Sequence, residues 1–208
     1  MIRTVATNLL RTLLPAVLPI DYRLPRDAST IYLTFDDGPT RHTLRVLELL
    51  EKYSVKSTFF ILGKRIAENP DVLRAINAAG HTIGNHSFLH DDYRAISQRA
   101  LAEDLARCNR AIREILPAWR PTLYRPPLGH FTANYVYYTW RQQARVIMWS
   151  LDSKDYCASS AKEICDVLRA PKPGDILLFH DEFSVTRAAL ESLIPRYLDQ
   201  GLRFASIA

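Results

Sequence analysis

Cysteine is scarce and unpatterned. Cys108, Cys157 and Cys165 are odd in number and contain no Cys-x-x-Cys pair, which excludes a disulfide framework and leaves reduced, partly buried thiols. Blocks of like charge are missing too. The formal charge of +5 comes from 27 basic and 22 acidic residues that are scattered along the chain, so nucleic acid is not expected as a partner. The mild positive bias suits an anionic surface or an anionic substrate. There is no internal repeat, low-complexity run or linker. An apolar-rich stretch lies in the first residues, but Arg11 interrupts it and Pro15 and Pro19 stand near its end. That makes a poor transmembrane span. No small-residue cleavage site follows, so a cleavable signal peptide is not expected.

What is present is a full core. The chain has 208 residues, 48% hydrophobic and 24% charged, enough for one domain or one small barrel. In residues 1–29, Ile2, Val5, Ala6, Leu9, Leu10, Leu13, Leu14 and Val17 recur at helical steps, with Arg3, Asn8 and Arg11 opposite. This predicts an N-terminal amphipathic extension. It packs on the domain or a second subunit, or it makes peripheral membrane contact through residues 2–17. The rest, 30–208, reads as one domain. Strands are predicted at 31–35, 55–61, 81–85, 122–125, 145–151, 175–180 and 202–207. Helical patterns lie between them, at 43–53, 64–79, 97–116, from Thr132 or Asn134, from a Ser160/Glu163 capping box, and at 184–199 before Gly201. Seven strands alternating with six helices is the βαβα pattern of a parallel sheet, either open or closed into a barrel.

The unusual polar residues share one phase. Asp36 and Asp37 follow the first predicted strand. His86 follows the third, with His90 four residues on. Arg125 ends the fourth, Asp152 ends the fifth with Asp155 three residues on, and His180 ends the sixth. In a parallel β/α architecture these carboxyl ends open on one face, where such folds build their sites. "HSFLH" can bring two imidazoles to one ion, on a helical turn or in a tight loop. One of the two neighbouring aspartates can complete a His-His-Asp set. That set suits Zn²⁺, and Co²⁺, Ni²⁺, Fe²⁺ or Mn²⁺ as alternatives. The other aspartate is then free to act as base on water. His42, His81 and His130 read as bystanders, His130 being the one that follows a motif.

"TFDDG", "HSFLH", "RPPLG", "DSKDY" and "LLFH" resemble, in order and spacing, the five motifs of the NodB-homology polysaccharide deacetylases, carbohydrate esterase family 4. The resemblance runs from about Thr30 to Phe204 and tips the fold from open sheet to a distorted (β/α)7 barrel. It implies metal-dependent removal of acyl groups, usually N-acetyl from an amino sugar in a poly- or oligosaccharide. By resemblance Asp37, His86 and His90 are the metal ligands, and Asp36 is the general base with Arg125 beside it. Leu128 offers an oxyanion-holding N–H, the first in its turn because Pro126 and Pro127 have none. His180 is the general acid, oriented by Asp152 in preference to Asp155. Leu178 lines the acetyl pocket. Two residues depart from the family: Leu128 stands where tyrosine is usual, and Tyr156 where tryptophan is. Both departures bear on sugar stacking, not on the chemistry.

O-acetyl, formyl or lipid-linked sugar substrates are the alternative for the same site. A non-catalytic carbohydrate-binding barrel is the reading that complete motifs oppose. A polymer substrate implies the periplasm or cell envelope. No clear export signal is visible, so the cytoplasmic face of the membrane stays beside it as an expectation.

Overall fold

The computed structural model describes residues 19–24 and 29–208, so the predicted helix over residues 2–17 lies outside the described residues. The described chain forms one parallel sheet with helices on its outer face. The strands are β1 (Ile20–Asp21), β2 (Thr30–Gly38), β3 (Thr58–Ile61), β4 (Thr82–Asn85), β5 (Leu123–Tyr124), β6 (Arg145–Ile147), β7 (Leu151–Asp152), β8 (Ile176–His180) and β9 (Arg203–Phe204). The helices are α1 (Arg41–Lys52), α2 (Pro70–Ala78), α3 (Gln98–Ile115), α4 (Ala133–Arg141), α5 (Ala161–Val167) and α6 (Ser184–Asp199). The sheet order is β1-β6-β5-β4-β3-β2-β8-β7, with β9 on β2. It curls into the expected distorted barrel.

Two-residue parity along the strands decides which side chains reach the interior. On β2, Ile31, Leu33 and Phe35 pack outward with α1 and α6 residues such as Leu47, Leu50, Leu190 and Leu193. Tyr32 packs inward with Phe60, Leu123, Ile147 and Ile176. The same alternation turns Thr34 and Asp36 inward, and Leu178 and His180 on β8. Emptying an outward position such as Phe35, fully buried, costs about 3–5 kcal/mol.

The structure differs from the sequence reading in three places. The predicted strand 145–151 is broken into β6 and β7, because the carbonyls of Ile147 and Met148 bond to the Arg125 side chain and not to a neighbouring strand. Ser150 then joins β8 through Ile176. The predicted helix 64–79 begins as a short 3₁₀ turn at Gly63–Arg65 and becomes α-helical only at Pro70, a favoured first-turn residue. Finally, Ile20 and Asp21, assigned by sequence to the N-terminal extension, pair with Val146 and Ile147, and Arg23 bridges to Asp175 just before β8. Residues 20–24 thus cross the seam between β6 and β8. A two-residue strand is too short to leave a periodic signal.

Candidate active site

The carboxyl ends of the strands surround a cleft of about 380 Å³ that includes Asp36, Asp37, His86, His90, Leu128, Asp152, Tyr156, Leu178 and His180. Nine of the eleven residues singled out from sequence are thus brought together. Arg125 lies beneath this group, fully buried. Asp155 lies behind His180.

Asp36 points inward by strand parity. Its neighbour should point away, but Asp37 has φ 68° and the β2–β3 register shifts between Phe35 and Gly38. This left-handed bulge re-aims Asp37 into the cleft beside Asp36. Ser87, His90, Leu128 and Lys154 also have positive φ without being glycine. Such conformations cost roughly 1–3 kcal/mol each and persist where surrounding structure enforces them.

Asp37, His86 and His90 each offer a ligand atom, and these lie within 4.8 Å of one another. Asp37 Oδ1 is 3.6 Å from His86 Nε2 and 3.4 Å from His90 Nε2. This oxygen is buried without a hydrogen-bond partner. Donors around a tetrahedral zinc ion stand about 3.3 Å apart, so the cluster fits one divalent cation. His86 Nδ1 lies 2.9 Å from the Arg125 carbonyl. A carbonyl only accepts, so Nδ1 carries the proton and Nε2 keeps its lone pair for the cleft. Burial raises the Asp37 pKa, but the charges of His86, His90, His180 and Arg65 outweigh it and leave the carboxyl below its ordinary range. For His90 burial and His86 outweigh the aspartates and lower the pKa, which favours the neutral, ligating imidazole.

The loop carrying both histidines is tight, not helical. The Asp104 carboxylate on α3 accepts from the N–H groups of Phe88 and Leu89, each at 2.9 Å, and from the Tyr93 hydroxyl at 2.8 Å. Asn85, facing outward, accepts from Ser87 N–H and donates to Asn109 and the Leu105 carbonyl. Sequence reading missed Asp104. Its signal was an acid at a buried position of an amphipathic helix, between Leu101 and Leu105.

Asp36 is held by Arg125, whose Nη1 donates to Asp36 Oδ1 at 2.7 Å and to Thr34 Oγ1 at 2.8 Å. Its remaining nitrogens donate to Ile147 and Met148 carbonyls, and its guanidinium lies 4.1 Å from the Phe60 ring centre. Every arm of the buried cation has a partner. Removing it strands a buried carboxylate at a cost of about 3–5 kcal/mol.

Across the cleft, His180 Nδ1 lies 2.8 Å from Asp155 Oδ1. The other Asp155 oxygen accepts from His180 N–H and from the Thr186 hydroxyl, both at 2.7 Å. The expectation that Asp152 orients His180 is therefore corrected: Asp155 does so. Asp152 stays on the cleft rim, where it accepts from Lys154 N–H at 2.9 Å and pairs with Lys154 Nζ at 3.0 Å. Lys154 has φ 60°, and this turn carries Asp155 under β8 while leaving Asp152 at the end of β7. Burial depresses the His180 pKa, but the Asp155 hydrogen bond and the charges of Asp36, Asp155 and Asp37 raise it to about 9.

Leu128 and Tyr156 are half exposed at the mouth. Tyr156 meets His180 edge-on, with ring centres 5.5 Å apart. Trp149 and Phe183 also line the cleft and were not singled out from sequence. A Cβ on Gly129, which has φ +68°, would come within 2.7 Å of the Trp149 ring, so glycine is required there. His81 is a core residue whose pKa burial lowers to about 4. His130 lies 3.3 Å from Asp92, outside the cleft lining.

Residues 23–147 match the polysaccharide deacetylase family, and the chain belongs to it. A chitooligosaccharide deacetylase of Rhizobium leguminosarum bv. trifolii is 35% identical over 74% of this chain and 73% of its own. A peptidoglycan-N-acetylglucosamine deacetylase of Bacillus cereus is 32% identical over 91% of both. Among solved structures, a peptidoglycan N-acetylglucosamine deacetylase in complex with 4-naphthalen-1-yl-N-oxidanyl-benzamide superposes with a TM-score of 0.90, at 26% identity and 95% coverage of each chain.

Proposed function

We propose that this chain hydrolyses N-acetyl groups from amino sugars of an oligo- or polysaccharide, using one divalent metal ion, zinc first, held by Asp37, His86 and His90. The observation that carries the reading is the orphaned Asp37 Oδ1, buried against two imidazoles. Without a cation this arrangement is costly. When bound, the ion polarises the acyl carbonyl and makes water a stronger acid. Asp36 takes the proton from the attacking water through its free oxygen, while Arg125 keeps the other oxygen occupied and fixes the carboxylate. The Leu128 N–H donates to the oxygen on which negative charge develops. His180 donates from Nε2 to the departing nitrogen, because Asp155 takes the Nδ1–H. Leu178 lines the acetyl side of the cleft, and Tyr156 and Leu128 offer apolar surface to the sugar.

The relatives named for chitooligosaccharide and peptidoglycan give the first substrates to try. Acetate release should appear on at least one of these glycans, disappear with chelator and return with added zinc. Release that survives full metal removal overturns the metal reading. Activity on O-acetyl esters alone would move the assignment to an esterase.

A further inference from the structure

We propose that the face of the barrel opposite the cleft docks on an anionic lipid surface and holds the cleft open away from it. In a parallel β/α barrel the turns from helix to strand lie at the base, and the turns from strand to helix lie at the mouth. The two ends differ in charge. The turns entering β3, β4, β5, β6, β8 and β9 carry Lys56, Arg120, Arg169 and Lys172, and their one carboxylate, Asp175, is buried against Arg23. The loops at the mouth carry Asp36, Asp37, Glu68, Asp91, Asp92, Asp152, Asp155, Asp181 and Glu182 against Lys64, Arg65, Arg94, Arg125 and Lys154, an excess of acid. An anionic surface therefore attracts the base and not the mouth.

The last turn of α4, at the base, also carries the exposed Trp140, with Tyr137 one turn back along the helix. Tyr137 and Trp140 are 51% and 61% exposed and stack with ring centres 6.1 Å apart. Arg141 lies 6.0 Å from the Tyr137 ring centre. Amphipathic aromatics with arginine are the composition that settles at a lipid headgroup boundary. Trp140 and Arg141 share a surface depression with Pro19. The described chain thus enters the barrel beside the patch. Charge, exposed aromatics and the point of chain entry coincide on one end. With the base down, the mouth faces glycan held above the bilayer and not headgroups within it.

The test is co-sedimentation of the full chain with vesicles of phosphatidylcholine alone or mixed with phosphatidylglycerol. Binding should require phosphatidylglycerol and weaken with salt. Arg141→Glu should reduce the partition coefficient roughly tenfold, and Trp140→Ser should also reduce it, with metal content unchanged in both. For orientation, a membrane-impermeant maleimide should label the exposed Cys157 at the mouth equally on and off vesicles, and should be blocked on vesicles at Gln143→Cys. Failure to sediment, binding indifferent to phosphatidylglycerol or to both base substitutions, or protection of Cys157 overturns the proposal. None of these readouts depends on deacetylation.

Discussion

On one wall of the cleft, His86 and Asp36 are almost wholly buried and Arg125 is completely so. On the other, Leu128 and Tyr156 are about half exposed. The buried wall, where we place the ion, is assembled by a network: the Asp37 bulge, the Asp104 clamp, the Arg125 fork and the His86–carbonyl bond. Within the Asp36, Asp37, His86 and His90 group, the one fully buried side-chain atom without a hydrogen-bond partner is the Asp37 oxygen aimed at the proposed cation site. The opposite wall has one such network, around Asp155, and otherwise presents side chains to solvent. Chemistry that depends on charge needs fixed, dehydrated groups. Recognition of a sugar face needs apolar area, which tolerates exchange. The two departures from the family, Leu128 and Tyr156, both fall on the tolerant wall.

Substitutions can break this contrast or sharpen it. The largest effect is expected for Asp37→Ala, which removes the proposed ligand oxygen: metal analysis should find no bound ion, and acetate release should fall by about 10³-fold or more. Asp36→Asn should keep its metal and lose about 10²–10⁴ in kcat. Unchanged kcat would remove Asp36 as the base.

Third comes the pair Asp155→Asn and Asp152→Asn. Losing the Asp155 charge should lower kcat by about 10–100-fold and move the alkaline limb of the pH profile to lower pH. The exchange at Asp152 should change KM alone. The sign follows from His180, whose folded-state pKa of about 9 lies above its ordinary 6.5. The His180–Asp155 pair stabilises the metal-free fold fully below about pH 6.5, and this contribution is lost as pH rises through about 9. A thermal-unfolding series against pH checks it, and a bound dication should bring the upper limit down. Equal effects of the two exchanges would erase the distinction between these aspartates.

Asp104→Asn should weaken zinc affinity by about 10–100-fold, read by titration calorimetry on metal-free protein, because an amide has one acceptor oxygen for three donors. The smallest effects belong to Leu128→Tyr and Tyr156→Trp. Restoring the family aromatics should change KM severalfold, within about 1.5 kcal/mol, and leave kcat and metal content alone. A large kcat change there would mean that the exposed wall takes part in the chemistry.

Much of the site was legible in the sequence because strand parity and motif spacing are local properties. Alternation alone turns Asp36, His86, Arg125, Leu178 and His180 to the interior end of the barrel, and hydrophobic periodicity predicted the β/α order. The broken strand at Met148 was not legible, since its cause is the Arg125 side chain, just after β5, which takes the carbonyls of a segment more than twenty residues away. Nor was the partner of His180, since Asp152 and Asp155 are equivalent by spacing.

The sequence by itself determined the family, the barrel class and the set of residues that meet at the strand ends, because hydrophobic period and motif order are written along the chain. Only the tertiary structure decided how neighbouring acids divide: Asp37 is turned beside Asp36 by a left-handed bulge, and Asp155 is set under His180 by Thr186 and the end of β8. Those choices depend on hydrogen bonds between residues distant in sequence, and such bonds have directions that exist only once the strands and helices are packed.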